Sequence, residues 1–435
     1  MMRIARCLLP VAVLVAALSM RATAMAAQDT IPPGTVITMQ NWQQYKQFMS
    51  AGLQALFSGQ YFWKLPPDFQ AVIGPPLTYT PPKEYAANTE KYATQVHIVN
   101  LPDGGHSITG YVAGRPFPNP APPMKGYKIL VDEWYRFLPW LNCGKHNWNH
   151  FKDRFGNIST NSFILVYRML SHISGYGQPI DDPNAQGIFY SEYLMLTTPE
   201  QSRYLVNLTL YYVDPVKPED VYLFIPALRR SLRLSAAARC APIIGTDLSQ
   251  DDVKYGFNGG IVRWDAKYLH DQKVIVLMPT DPKAYGNINN YYPSLFFPSP
   301  KAGKWQVRPV YAISVRRIPS QRAGYCYSKR VMYIDQESFE DYWNDLYDAA
   351  NRLWKVHMIG RPVRPIPHEA GLQFEDGNFV EEMWDLQNDH LTAGASSGPE
   401  GGWIHADEEC RDYEGTDFSV VNKYNTVQAL SQVMR

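Results

Sequence analysis

Between residues 189 and 235 apolar and polar positions alternate along three successive runs, with no helical run between them. In Phe189–Thr198, Ser191 and Glu192 are bracketed by Tyr190, Tyr193, Leu194 and Met195. In Tyr204–Val213, one parity collects Tyr204, Val206, Leu208, Leu210 and Tyr212, and the other takes Asn207, Thr209 and Tyr211. Val221–Ser235 continues with Leu223 and Ile225 and, past Pro226, with Leu228, Leu232 and Leu234 against Arg229, Ser231 and Arg233. Successive side chains leave opposite faces of a strand, so period two predicts half-buried antiparallel strands. Pro199–Arg203 and Asp214–Asp220 are short enough to close hairpins. The apolar parity must cover something. Val206, Leu208, Leu210, Tyr212, Leu228, Arg230, Leu232 and Leu234 are therefore the candidate ligand-facing set, as the lining of a cavity or of a packed core.

The same pattern predicts strands at Lys273–Met278, Val307–Arg317, Tyr325–Asp335 and Arg352–Ile359, and a strand-rich Ser338–Ala350. Asn41–Phe57 carries apolar residues at spacings of three and four, which predicts a helix. Pro66-Pro67, Pro75-Pro76 and Pro81-Pro82 stop it from continuing. Tyr92–Leu101 reads as a strand ending at the turn Pro102-Asp103-Gly104-Gly105. Gly360–Phe374 and Leu391–Gly402 read as loops. The expectation is a mainly β, α+β chain: a Pro-rich arm over 27–157, packed as one unit on a large antiparallel sheet over 158–435.

Residues 1–26 predict an exported chain. Arg3 and Arg6 precede an apolar Cys7–Met20 too short to span a bilayer, and Ala24-Met25-Ala26 supplies small residues for cleavage. No later segment offers about 18 uninterrupted apolar residues, so the mature chain is expected to be soluble in the periplasm. Arg3, Arg6 and Arg21 leave with the leader, so 38 of the 41 basic residues face 41 acidic ones. A chain so near neutrality lacks the electrostatic footprint for nucleic acid or anionic lipid surfaces. Four cysteines stay in the mature chain, and an even number in an exported protein predicts two disulfides. Of three possible pairings, Cys240–Cys326 with Cys143–Cys410 is preferred, because Cys240 follows one strand and Cys326 lies in another.

Candidate chemistry is sparse. Cys143-x2-His146-x3-His150 has the spacing of half a zinc site, but an exported thiol more often pairs with a thiol. Asp247, Asp251 and Asp252 before Gly256-Phe257-Asn258-Gly259-Gly260 could hold calcium, yet lack the alternating ligands of an EF-hand; an acidic turn is favoured. Arg230 shares parity with Leu228 and Leu232, so an inward arginine would need a carboxylate such as Asp252 or Asp265, or the head group of an amphipathic ligand. There is no H-E-x-x-H and no phosphate-binding glycine loop, and the histidines are scattered, so no catalytic residue, metal or cofactor is assigned.

Trp148-Asn149-His150-Phe151 with Arg154-Phe155, the run Pro226–Arg233, Asp251-Asp252 leading to Phe257-Asn258-Gly259, Tyr327–Asp335, Trp384-Asp385-Leu386-Gln387 and Leu430–Arg435 occur in an order that resembles a known family. It is the periplasmic outer-membrane lipoprotein-sorting-like family, domain of unknown function 1329. The resemblance implies a fold like the carriers LolA and LolB, an incomplete barrel round an apolar cavity with a helical lid. It also implies a setting beside envelope transporters and outer-membrane proteins, and it carries over no catalytic residue. The function expected is binding or carriage of a lipid or other hydrophobic molecule, by burial of its apolar part. The alternative is a non-catalytic scaffold of an envelope transport complex, using Trp63, Trp134 and Trp140 as an exposed patch. A hydrolase acting on a hydrophobic substrate comes third.

Overall fold

The alternating runs are strands, and each continues into the next. In a computed structural model, which describes residues 29–175, 177–234, 239–254, 256–365, 370–374, 380–395, 405–430 and 432–434, they form two antiparallel meanders. The leader expected over 1–26 lies outside the described residues. The first meander is β1 (Leu141–Lys152), β2 (Ile158–Met169), β3 (Ile188–Thr198), β4 (Val206–Tyr212), β5 (Asp220–Ile225) and β6 (Arg230–Leu234). The second is β7 (Trp264–Leu277), β8 (Trp305–Arg317), β9 (Lys329–Asp335), β10 (Asp341–Tyr347), β11 (Leu353–Gly360), β12 (Val380–Asp385) and β13 (His390–Ala395). They fuse where β13 pairs with β1, Ala393 opposite His150. The strand order is therefore β6-β5-β4-β3-β2-β1-β13-β12-β11-β10-β9-β8-β7, a large curved sheet that stays open between its edges β6 and β7.

The sheet starts earlier than the expected 158, because Leu141–Lys152 is one of its central strands. The run 221–235 is two strands, not one. Pro226 has no N–H to give the ladder, and a 3-10 turn at Pro226–Leu228 followed by Arg229 at φ 49° folds it into a hairpin. Leu391–Ala395, expected as loop, is strand: Ala393 and Ala395 have no exposed surface, and a strand paired on both sides is held by its neighbours despite weak propensity. The rest of that expected loop up to 404 lies outside the described residues. Gly360–Phe374 likewise holds a small hairpin, Val363–Pro365 with Leu372–Phe374. The expected strand Tyr92–Leu101 is shorter, His97–Asn100, and turns at Pro102–Gly105 into His106–Thr109.

Parity gives the sheet two faces. On the outer face, the N-terminal arm covers the second meander. The helix expected over Asn41–Phe57 breaks in two, a 3-10 turn at Trp42–Phe48 and α1 (Ala51–Ser58). Ser50 causes the break: its Oγ accepts from the Leu53 N–H (3.0 Å) as an N-cap and donates to Asp345 (3.2 Å). A Cβ on Gly52 would lie 2.3 Å from the Asp345 carboxylate and 2.7 Å from Val356, so only glycine lets α1 sit this close to β10 and β11. Leu53, Leu56 and Phe57 then join Trp305, Trp343 and Trp384 in the largest core. The C-terminal segment covers the outer face of the first meander, through the Cys143–Cys410 disulfide and contacts of Tyr424 with Tyr193. The second disulfide is Cys240–Cys326.

On the inner face lies α3 (Lys125–Trp134), the third helix after α2 (Lys83–Tyr92). A Cβ on Gly126 would meet the Tyr268 amide at 2.3 Å, which seats α3 directly on edge strand β7, and Ile129 and Leu130 pack against Ile313, Val315, Met332 and Ile334. Among the described residues no helix is long and apolar enough to cross a membrane.

Candidate functional site

The inner face is occupied mainly by the chain itself. Residues 239–254 and 256–262 run into the concavity, where Leu248 meets Tyr327, Leu346 and Met383, and Phe257 meets Trp264 and Ile313. This plug is fastened by buried charge. Asp251 accepts from Arg239 Nε (2.6 Å), Arg317 Nη2 (2.7 Å) and the Tyr325 hydroxyl (2.7 Å). Burial alone would raise the Asp251 carboxyl, but Arg239 and Arg317 outweigh it and hold it below the ordinary carboxylate range. Asp252 accepts from Arg330 (3.0 Å), Tyr327 (2.9 Å) and Ser249. Asp247 accepts from Thr392 (2.7 Å) and faces His390 Nδ1 (2.8 Å). The three aspartates therefore hold three different sets of side chains, and do not converge on one point as calcium ligands would.

Deeper in, Asn258 Nδ2 donates to both oxygens of Glu192 (3.0 and 3.3 Å), and burial raises the Glu192 carboxyl to about 7. Lys254 Nζ lies 3.7 Å from the centre of the Trp134 ring and donates to the Trp134 carbonyl (3.2 Å); burial, then Arg136, pushes its ammonium down to about 7. Arg136 pairs with Glu133 (2.8 Å) and Glu340 (3.0 Å), and Arg361 with Glu340 (3.0 Å).

Between the plug and the first meander a groove of about 210 Å³ stays open. Its walls are Leu205, just ahead of β4, Val221, Leu223 and Leu234 from the sheet and Ile243 and Ile244 from the plug, with Asn207, Glu219, Arg239 and Gln250 as its polar lining. Register explains the wall: Leu223 pairs with Asn207 and Leu232, and Val221 with Thr209 and Leu234, so these side chains share the inner face. A larger cleft of about 640 Å³ lies on the other side, where Trp148, His150, Thr160 and Asn287 line a mixed surface.

The candidate ligand-facing residues divide between these environments. Val206 and Leu208 have no exposed surface and Leu210 is buried; they share the outer face with Tyr193, inside the core that the C-terminal segment closes. Tyr212 is partly exposed and donates to Asp220 (2.7 Å). Leu228 (56% exposed) is at the hairpin tip, and Leu232 (39%) and Leu234 (38%) are on edge strand β6, with Leu234 lining the groove. Arg230 is exposed at the same edge and makes no ion pair among the described residues, so the inward pairing expected for it with Asp252 or Asp265 is incorrect. The arginine that meets Asp252 is Arg330. Cys143 is in a disulfide, His146 faces Glu414 (3.3 Å) and His150 faces Thr160 (2.8 Å). Trp63, Trp134 and Trp140 are 2%, 5% and 3% exposed, so the surface patch expected under the scaffold reading is not there.

Period-two reading missed the plug and its arginines. The signal was present: Arg317 follows Ile313 and Val315 at strand parity, and Arg330 precedes Met332 and Ile334, each a charge on an apolar stripe. Such a charge needs a buried carboxylate, and Asp251-Asp252 were the adjacent pair available.

A family model described as "Protein of unknown function (DUF1329)" matches residues 36–431. No curated protein matches the chain with significance. Among solved structures, a DUF1329 family protein from Desulfovibrio piger is similar at 14% identity and TM-score 0.44, over 67% of this chain and 97% of that one. An outer membrane lipoprotein-sorting protein domain from Vibrio parahaemolyticus is similar at 15% identity and TM-score 0.43, over 62% and 90%. A LolA superfamily protein from Nitrosomonas europaea is similar at 14% identity and TM-score 0.36, over 62% and 90%.

Proposed function

This chain belongs to the DUF1329 family, and we propose that within it the chain acts as an exported, periplasmic binding or carrier protein for a lipid or other hydrophobic molecule. The observation that carries the proposal is the apolar groove beside the free edge strand β6. Six aliphatic side chains from two independent parts of the chain face one another there across about 210 Å³ of open space. The driving force is burial, about 0.8 kcal/mol per methylene, so an eight-carbon stretch gains about 6 kcal/mol before association costs. The groove holds part of a chain, and the exposed Leu232 beside it extends the apolar path along the edge. The scaffold reading loses support with the burial of Trp63, Trp134 and Trp140. The His390–Asp247 pair lines neither cleft; the larger cleft is lined by His146 and by His150, which faces Thr160 (2.8 Å), and no catalytic role is assigned to them.

The test uses the chain without its leader, purified and stripped of lipid by organic extraction, with mass spectrometry of the extract. Titration with a fluorescent fatty acid is expected to saturate near one equivalent, and Leu223→Asp with Ile243→Asp is expected to abolish it while far-UV circular dichroism is kept. A stripped, folded protein that takes up no apolar probe contradicts the proposal.

A further inference from the structure

The groove's polar lining has a charge composition that selects its cargo. We infer that the ligand is an amphipathic anion, a carboxylate or phosphate on an apolar tail, whose head group sits at the Glu219 wall where three buried arginines share two carboxylates. This rests on the binding reading above.

Glu219 lines both the apolar groove and a small adjoining cleft of about 30 Å³ that also presents Lys217, Tyr212 and Arg263. The Glu219 carboxylate pairs with Arg239 and with Arg263 Nη2 (2.8 Å). The other carboxylate, Asp251, is taken by Arg239 and by Arg317 Nη2 (2.7 Å). All five side chains are nearly out of water: Arg239 is 7% exposed, Arg263 15%, Arg317 5%, Glu219 4% and Asp251 0%. The surrounding groups do not supply the missing charge. Asp252 is matched by Arg330 (3.0 Å), Tyr325 and Tyr211 are held as neutral phenols by burial, and Glu192, which feels both Lys254 and Arg239, is raised by burial to about 7 and is only partly ionised at neutral pH. Lys217, exposed with its Nζ 3.3 Å from the centre of the Tyr212 ring, adds a second positive charge at the cleft mouth. Buried cations are normally matched one for one, because an unmatched one costs several kcal/mol of desolvation.

Arg263 carries the imbalance: burial, then the like charge of Arg239, pushes its guanidinium down to about 10. An anionic head group entering beside Glu219 supplies the third negative charge and accepts charge-assisted hydrogen bonds, while its tail follows Val221, Leu223 and Leu234. A neutral head leaves the excess in place, and a cationic one adds to it.

The experiment titrates the stripped, leaderless protein, below micelle-forming concentrations, with four ligands of one chain length: palmitate, hexadecyl phosphate, hexadecanol and hexadecyltrimethylammonium. At least one anion is expected to bind about ten-fold or more tighter than hexadecanol, with the cation weakest. Preference for palmitate alone or hexadecyl phosphate alone supports the inference and identifies the source, a fatty acid or a phosphorylated lipid. The preference is expected to shrink to about two-fold in Arg263→Gln, and to fall by about two- to three-fold in Lys217→Gln, a surface change that does not endanger folding. Equal affinity for anion and alcohol in the unmodified protein overturns the inference and leaves the carrier reading standing. Failure of all four to bind overturns the carrier reading itself.

Discussion

Replacing Glu192 by Gln measures what the buried charge under the plug costs the fold. Glu192 is 5% exposed on the inner face of β3, and burial raises its carboxyl from 4.5 to about 7. Between those pH values the folded chain holds a proton that the unfolded chain has lost. Stability therefore falls as pH rises through the window, by about 1.4 kcal/mol per unit, and about 3 kcal/mol has been lost once pH passes 7. Glutamine has the same shape, still accepts from Asn258 Nδ2, and cannot ionise. The variant is expected to match the parent protein within about 1 kcal/mol at pH 4.5 and to exceed it by 2–3 kcal/mol at pH 8. Part of the gain is returned by Lys254, because Glu192 is one of the groups supporting its charge. The assay is urea unfolding followed by tryptophan fluorescence at half-unit steps from pH 4.5 to 8.5, with the slope m checked for constancy. Two stability curves that run parallel across the range would refute the buried, neutral acid.

Three further outcomes follow from the packing. Cys143–Cys410 closes 267 residues and Cys240–Cys326 closes 86, so chain entropy assigns them about 5–6 and 4–5 kcal/mol; the double serine variant of the former should lower the unfolding midpoint at least as much as that of the latter. Arg330→Met leaves the buried Asp252 without its cation and should cost about 3–5 kcal/mol in denaturant unfolding, whereas Arg230→Met at the exposed edge should stay within about 0.5 kcal/mol. Ser50→Ala removes the cap of α1 and a partner of Asp345, and should cost about 1–2 kcal/mol in the same assay.

The strands were legible because a half-buried strand leaves its period in the sequence. Val206–Tyr212 and Asp220–Ile225 lie where alternation puts them. Which face they bury is not a property of the run alone. Val206, Leu208 and Leu210 are sealed by a C-terminal segment about 200 residues later in the chain, while Leu223 and Leu234, on the opposite face, meet the groove. A single apolar stripe was read across 206–234, but the hairpin turn at Pro226–Arg229 and the strand register divide it between the two faces. Central strands that lack strong β formers, such as His390–Ala395, were hidden because their neighbours, not their own propensity, hold them. The preferred disulfide pairs form, although Cys326 lies in the bend before Lys329–Asp335 and not within a strand as expected. The plug was not legible, because its stability comes from Arg317 and Arg330 on strands that follow it in the chain.

Photo-crosslinking tests the central claim most directly. A palmitate carrying a diazirine in mid-chain, bound to the leaderless protein and irradiated, should label residues of the inner groove, Leu205, Leu223, Leu234, Ile243 and Ile244, as mapped by peptide mass spectrometry. Labels confined to the outer cleft beside Trp148 and His150, or to the C-terminal segment over Val206 and Leu208, would contradict the account.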